Sequence, residues 1–270
     1  MAYLQQRTDA WFKARRGKLT ASNFGAALGV SPYMSKKKLF QVMYESSGGK
    51  CKPFDTVTNV ACEWGTNNEP NALMEYMAMT GNQVEQDFFA IHPTLTWLGG
   101  SPDGLVGDDG MIEIKCPYKK ELYPTIPHHY YPQVNGLLEI TGRDWCDFVV
   151  WTPEEIQITR LKRNTNAFNT LLHHYTVMYG MVCSGTEPER MKGDDKRMMM
   201  AMIEEFIKQD IIHPIPPKRV SDLQLYLSEE ANENEPEKRP APDTWMDQYT
   251  CVRPEQSGQK RLCVAVEVAE

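Results

Sequence analysis

The chain has 270 residues and a mass of 30.9 kDa, with 41% apolar content and a formal net charge of −7. That length supports one large domain, or one domain with an appendage, and excludes a peptide-sized or disulfide-stapled scaffold. No window approaches the roughly 18 to 20 uninterrupted apolar residues of a membrane helix, and Met1–Arg16 is polar where a signal peptide needs an apolar core, so a soluble, intracellular protein without a membrane span is expected.

Seven cysteines are odd in number and scattered, with no C-x-x-C pair, which fits reduced thiols in the cytoplasm or nucleus. The charge is unevenly spread. Residues 1–50 hold nine Lys/Arg against two acids, a local +7 on an otherwise acidic body. Polyanion binding depends on a local positive patch, so the acidic total does not exclude nucleic acid; the plainer alternative is a solvated helix face.

In chain order, the pattern predicts short helices over Asp9–Arg16 and Ala21–Leu28, the second capped by Thr20 or Ser22 and stopped near Gly29 and Pro32. Lys36–Tyr44 and Asn59–Met79 continue the helical character, the latter interrupted around Gly65 and Pro70. Strands are predicted at Thr94–Leu98, Gly104–Val106, Met111–Lys115, Cys146–Trp151 and Ile156–Leu161, with a helix over Pro127–Ile140 between the third and fourth. Asn166–Met181 makes another helix. Met198–Met202 with Ile203 and Phe206 reads as an amphipathic helix burying soft side chains, or else as a partner surface. The whole is an α/β (α+β) domain with a mixed sheet flanked by helices, assigned to residues 1–212. Residues 213–270 hold seven of the 18 prolines and an acidic stretch over Glu229–Glu237, and read as an irregular extension, with a short strand at Leu262–Val266.

The most informative stretch runs from Ser101-Pro102-Asp103-Gly104 through Ile112-Glu113-Ile114-Lys115. Alternation along a strand sends Glu113 and Lys115 one way and Ile112 and Ile114 the other, into a core. The Asp108-Asp109-Gly110 turn folds the chain back and brings Asp103 alongside Glu113. Two carboxylates and a lysine then converge, and adjacent acids in a partly buried place call for a proton or a hard divalent cation such as Mg²⁺ or Mn²⁺. A third acid, Glu69, stands on a preceding helix. This is phosphodiesterase equipment. Acid-x-Lys alone is weak, since Asp194-Asp195-Lys196 fits it too, although in a turn-like run without β-formers. The alternative for Glu113 and Lys115 is an edge strand wearing charges toward solvent. Arg15 close to the Thr20-Ala21-Ser22 helix start supplies the bidentate donors and hydroxyls that hold phosphate; an ordinary exposed arginine is the alternative.

Other candidates are weaker. His128-His129 and His173-His174 lie among aromatics, where packing or surface roles are expected in place of metal ligation. Trp11, Trp64, Trp97 and Trp151 read as core residues, with a DNA end as a further option for Trp11. Nothing beside Cys116 suggests a nucleophilic pairing.

Four blocks in order, Arg7-Thr8-x-x-Trp11-x-x-x-Arg15-x-Gly17-x-x-Thr20-Ala21-Ser22, Gly65-Thr66-Asn67-Asn68-Glu69, Ser-Pro-Asp-Gly with Glu113-Ile114-Lys115, and Tyr131-Pro132-Gln133 with Gly136, make residues from about 7 to 183 resemble the lambda-exonuclease type of viral recombination nuclease, also called YqaJ-like, of the PD-(D/E)xK superfamily. Proteins of this kind occur in phages and large DNA viruses. The resemblance implies a restriction-endonuclease-like core, and an Asp103 and Glu113 that ligate Mg²⁺ (Mn²⁺ as substitute, two ions) with the Ile114 carbonyl. It further implies a Glu69 that contributes from the other side, a Lys115 that positions or activates water, and a Gln133 behind the active site. Arg15, Ser22 and Ser101 match the pocket for the terminal 5′-phosphate.

The implied activity is 5′→3′ digestion of double-stranded DNA to mononucleotides, leaving 3′ single strands for annealing in recombination and repair. The implied setting is a ring-shaped homotrimer favouring mildly alkaline pH, with a single-strand annealing protein as partner, in the nucleus or cytoplasm of a host. Two alternatives stay open: a structure-specific or nicking endonuclease on the same core, and a non-catalytic DNA-binding recombination scaffold.

Overall fold

A computed structural model describes residues 2–49, 60–119 and 121–221. In chain order the elements are β1 (Ala2–Tyr3), α1 (Asp9–Arg15), β2 (Leu19–Thr20), a 3-10 turn (Ala21–Asn23), α2 (Phe24–Ala27), α3 (Lys36–Ser46) and α4 (Val60–Thr80). These are followed by β3 (Val84–Glu85), β4 (Phe88–Ile91), β5 (Leu98–Gly100), β6 (Gly104–Val106), β7 (Gly110–Lys115), α5 (Tyr131–Thr141), β8 (Trp145–Trp151), β9 (Glu155–Lys162), α6 (Thr165–Ser184), α7 (Gly193–Asp210) and β10 (Ile211–Arg219).

The main sheet has the order β10-β9-β8-β7-β6-β3; a smaller sheet has the order β1-β4-β5-β2. The main sheet is mixed because β7 and β8 run parallel, joined across α5, while their outer neighbours are antiparallel. Among the described residues no helix is long and apolar enough to cross a membrane.

Register decides which helix covers which face. In β7 and β8, Met111 pairs Cys146, Glu113 pairs Phe148 and Lys115 pairs Val150, so these share one face, with α5 packed on it through Val134, Leu137 and Leu138. The opposite face belongs to α4, whose Tyr76 hydroxyl donates to Asp147 Oδ2 at 2.7 Å and whose Glu75 accepts from the Trp151 indole at 2.6 Å. Gly136 lets α5 lie close to α2: a Cβ there would stand 2.3 Å from the Phe24 ring.

Several sequence expectations need correction. The helix over Asn59–Met79 is one uninterrupted α4, Gly65 and Pro70 included, because Ala72, Tyr76 and Met79 anchor it to the core; Asn59 lies outside the described residues. The strand expected at Thr94–Leu98 starts at Leu98, since His92 Nδ1 accepts from the Thr94 and Leu95 amides and turns the chain; β4 just before it was not anticipated. Asp194-Asp195-Lys196 sits in the first turn of α7, where acids complement the helix dipole. The chain also stays in the sheet beyond position 213. β10 continues to Arg219 despite its prolines, which are tolerated on an edge strand broken by two register shifts. The strand expected at Leu262–Val266 and the acidic run before it lie outside the described residues.

Asp147, fully buried, accepts from Arg160 Nε at 2.8 Å and Nη2 at 2.9 Å as well as from Tyr76. Removing one partner of such a pair strands a charge in the core. Arg160→Ala is expected to destabilise the fold by roughly 3 to 5 kcal/mol, seen as a fall in the urea midpoint at unchanged slope; an unchanged midpoint would rule out this account of the α4 face.

Candidate active site

The β6–β7 hairpin brings the acids together as its turn requires. Gly104 pairs with Ile112, and one step further Asp103 stands beside Glu113. Asp103 Oδ2 accepts from the Ile114 amide at 2.7 Å, which ties the Pro-Asp-Gly turn to the strand. The edge-strand alternative fails: β7 lies inside the sheet between β6 and β8, and Glu113 is 1% exposed. Its charge faces α5, where one turn into the helix Gln133 Nε2 donates to Glu113 Oε1 in a short hydrogen bond. Lys115 Nζ lies 2.5 Å from the same oxygen and 4.8 Å from the centroid of the Tyr130 ring. The second oxygen, Oε2, is buried and has no hydrogen-bond partner among the described residues.

Burial raises the proton affinity of this cluster, and the acids raise one another's. Glu113 is pushed up to about 8 by burial and then by the Asp103 charge, with Lys115 opposing. Asp103 is raised by burial against the pull of Lys115 and the Ile114 amide. Glu69 rises to about 7 through burial and the Asp103 charge, partly offset by Arg7 and Lys115. Burial works against the Lys115 ammonium, yet Glu113 and Asp103 more than compensate and raise it. A charged lysine beside three acids reluctant to ionise together is a site short of positive charge.

Glu69 stands apart from the other two acids. Its carboxylate lies 3.6 Å from Arg7 Nη2 and feels Asp103 and Glu113 through charge. Among the described residues no three Asp, Glu, His or Cys side chains gather closely enough to hold an ion among themselves. The residues nonetheless suit a hard cation on two counts: the donors of Asp103 and Glu113 are oxygens, and Glu113 Oε2 is a buried oxygen in need of a partner. The Ile114 side chain is in the core, and its amide serves Asp103.

The second group expected from the sequence assembles next to the first. Arg15 Nη2 reaches Thr20 Oγ1 at 3.2 Å and Ser22 Oγ at 3.4 Å, and the guanidinium lies 4.1 Å above the Trp11 ring. Burial pulls Arg15 down to about 10, so it stays cationic at neutral pH. Trp11 Nε1 donates to Ser101 Oγ at 2.8 Å. A single cavity of about 230 Å³ is lined by Arg15, Ser22 and Ser101 together with Asp103, Glu113, Lys115 and Gln133.

Gln6, Arg7 and Trp11 also line it; of these only Trp11 carries an expectation from the sequence, a core residue or else a flank to a DNA end. For Trp11 the signal was present, since its i,i+4 spacing to Arg15 puts both on one face of a helix. Gln6 and Arg7 precede α1, where no periodicity places a side chain. The histidine pairs keep to packing and surface: His129 lies tilted against Tyr130 with ring centroids 4.0 Å apart, and burial lowers it to about 4, while His173 packs edge-on against His174. Cys116 is pushed up to about 12 by burial and then by the neighbouring acids, so it is a protonated thiol. Trp64 and Trp97 are half-buried and Trp151 is in the core.

Comparison with known proteins points the same way. Among solved structures, the alkaline exonuclease from Laribacter hongkongensis is similar at 29% identity and a TM-score of 0.55, covering 67% of this chain and 95% of that one. The same exonuclease in complex with dAMP is similar at 27% identity and a TM-score of 0.51, covering 75% and 97%. Curated relatives include protein D345L of African swine fever virus (strain Badajoz 1971 Vero-adapted), 26% identical over 51% of this chain and 46% of its own length. Another is the uncharacterized protein R354 of Acanthamoeba polyphaga mimivirus, 25% identical over 54% of this chain and 29% of its own length. The chain thus spans less than half the length of the curated relatives it matches. The model of the YqaJ-like viral recombinase domain matches residues 10–144, half of the chain and the part that contributes Arg15, Asp103, Glu113, Lys115 and Gln133. The chain belongs to the YqaJ-like viral recombinase domain family.

Proposed function

We propose that the chain is a Mg²⁺-dependent 5′→3′ exonuclease that digests double-stranded DNA from phosphorylated ends, releases mononucleotides and leaves 3′ single strands for recombination by annealing. The observation that carries this reading is the shared cavity, in which a phosphate-type cradle (Arg15, Ser22, Ser101) adjoins a hydrolytic cluster (Asp103, Glu113, Lys115). The structural resemblance to an alkaline exonuclease, one of whose structures holds the mononucleotide dAMP, supports it. A clamp on a terminal phosphate beside the reacting bond favours attack near an end over attack at an internal site. The homotrimer and the annealing partner expected from the resemblance belong to the same proposal, as does Mn²⁺ as a substitute metal.

In this reading Asp103 and Glu113 would hold divalent metal, one or two ions, with the Ile114 carbonyl and Glu69 as further donors. The chemistry such an ion supplies when bound is acidification of water and offset of charge on the phosphoryl oxygens. Lys115 and Gln133 occupy Glu113 Oε1 and so leave Oε2 for a metal. The Lys115 ammonium orients the attacking water and compensates negative charge as the phosphoryl group becomes crowded. Arg15 and the hydroxyls of Ser22 and Ser101 bind the terminal phosphate and set the register of the strand.

Linear duplexes bearing 5′-phosphate or 5′-hydroxyl ends, and closed circles, tested with Mg²⁺ and with EDTA, check the reading directly. Phosphorylated linear DNA is expected to disappear from its 5′ ends only with metal, while circles stay intact; nicked circles would instead establish the endonuclease. Lys115→Ala should lower turnover by at least about 10²-fold while sparing DNA binding. Arg15→Ala should erase the preference for 5′-phosphate, a loss of roughly ten- to a hundredfold on phosphorylated ends.

A pH effect follows from Glu113, which moves from its ordinary 4.5 up to about 8 on folding. The unfolded chain gives up this proton first, so in EDTA stability declines as the pH climbs from 4.5 toward 8. Asp103 and Glu69, shifted the same way, add to the decline. Melting curves should show that fall, Mg²⁺ should reverse it, and Glu113→Gln should reduce it and cancel the gain from Mg²⁺. A wild-type melting temperature indifferent to Mg²⁺ at pH 8 would count against the metal site.

A further inference from the structure

Arg7 is held in a backbone conformation that its own side chain does not favour. Its φ is +66°, in the left-handed region that suits glycine, as is the +68° of Asp87. The two positions are linked: the Leu4 amide donates to the Asp87 carbonyl at 2.6 Å and the Gln6 amide to Asp87 Oδ1 at 3.1 Å. Gln6 Nε2 also reaches the Pro102 carbonyl at 3.4 Å, next to Asp103. The segment before α1 is therefore pinned down, and the chain must turn sharply at residue 7 before Thr8 caps the helix by accepting from the Trp11 amide. Beyond the turn, Arg7 lines the cavity that Asp103, Lys115 and Arg15 also line.

The contacts Arg7 makes there do not account for the strain. Nη2 lies 3.1 Å from Thr66 Oγ1 and 3.6 Å from Glu69 Oε2, and the side chain is 55% exposed. A long, solvent-screened pair of this kind contributes little to stability, and a glycine would make the same turn freely. Backbone strain kept without a packing return is found at sites where a side chain must meet a ligand. A guanidinium in a cavity with a second guanidinium and an ammonium fits a polyanionic strand, because phosphate offers the charge-assisted, bidentate partner that Glu69 supplies poorly at 3.6 Å.

We propose that Arg7 is a second phosphate-binding residue of the cavity: on substrate entry its guanidinium leaves Glu69 and Thr66 and takes a phosphodiester oxygen of the bound strand. This deepens the exonuclease reading and rests on it. Arg15 holds the end of the strand and Arg7 a backbone phosphate, so that two cations fix the strand across the acids. The exchange also frees the Glu69 carboxylate when the substrate is in place.

The test uses the full chain as wild type, Arg7→Gly and Arg7→Lys, with a 5′-phosphorylated duplex. Binding is read by fluorescence anisotropy in EDTA at several salt concentrations, stability by thermal melting, and turnover with Mg²⁺ as KM and kcat separately. Arg7→Gly should melt at or above the wild-type temperature, since the strain is relieved, yet bind DNA about tenfold more weakly and lose about one unit of salt slope. Its KM should rise by a similar factor with kcat within about twofold of wild type, and Arg7→Lys should keep most of the salt slope. Wild-type affinity and slope in Arg7→Gly, or a weakening matched by a lower melting temperature, would overturn the proposal. If wild type binds the duplex but does not degrade it, the exonuclease reading fails, while the salt slopes still decide whether Arg7 meets phosphate.

Discussion

Glu113 is a carboxylate on an interior strand, packed beneath α5 and almost entirely removed from water. One of its oxygens takes both Lys115 and Gln133, and the other takes no partner among the described residues. A charge in that position is expensive unless it is paired, and here the pairing is deliberately incomplete on one side. The neighbouring acids make the shortage worse, since each raises the proton affinity of the next. The surrounding elements are arranged about that carboxylate. The hairpin sets Asp103 beside it, α5 supplies its amide donor, and Tyr130 supports its lysine through the ring face.

Rigidity behind the site comes from the opposite face of the same strands. Asp147, one strand away in β8, is gripped by Arg160 and Tyr76, which fastens α4 and β9 to the centre of the sheet. The polar groups on the two faces behave differently. Asp147 has its partners and holds structure together, whereas Glu113, which lines the cavity, keeps one buried oxygen without a partner among the described residues. The satisfied network holds the fold together, and the other leaves a buried polar group in want of a partner, on strands that share their hydrogen bonds.

Much of the architecture was legible in sequence. Met111–Lys115, Cys146–Trp151 and Ile156–Leu161 announced β7, β8 and β9 through dense β-formers between turns, and the Asp-Asp-Gly turn announced the hairpin. Local signals misled where tertiary packing outweighed them. Pro70 reads as a break, yet α4 runs through it, anchored to the core by Ala72, Tyr76 and Met79 on its C-terminal side. The prolines of β10 read as the start of an irregular arm, yet an edge strand tolerates residues that offer no amide to a neighbour. Thr94–Leu98 has strand character, but the His92 side chain captures the amides of that stretch first.

For the site, the sequence alone determined the chemical types and their order: acid-turn-acid-x-lysine on a strand, and an arginine ahead of a hydroxyl-rich helix start. Alternation and turn geometry are local, so they suffice to put Asp103 next to Glu113 and to send Glu113 and Lys115 to one face. Only the tertiary structure decided that this face is buried under α5, that Gln133 closes on Glu113, that Glu69 stands back against Arg7, and that Trp11 joins Arg15 to Ser101. All but the contact of Trp11 with Arg15 link residues 20 to 90 positions apart through the packing of whole helices on a sheet. They depend on interhelical distances that no spacing rule along the chain encodes, and the conformation at Arg7 is set by how a distant loop at Asp87 holds the segment before it.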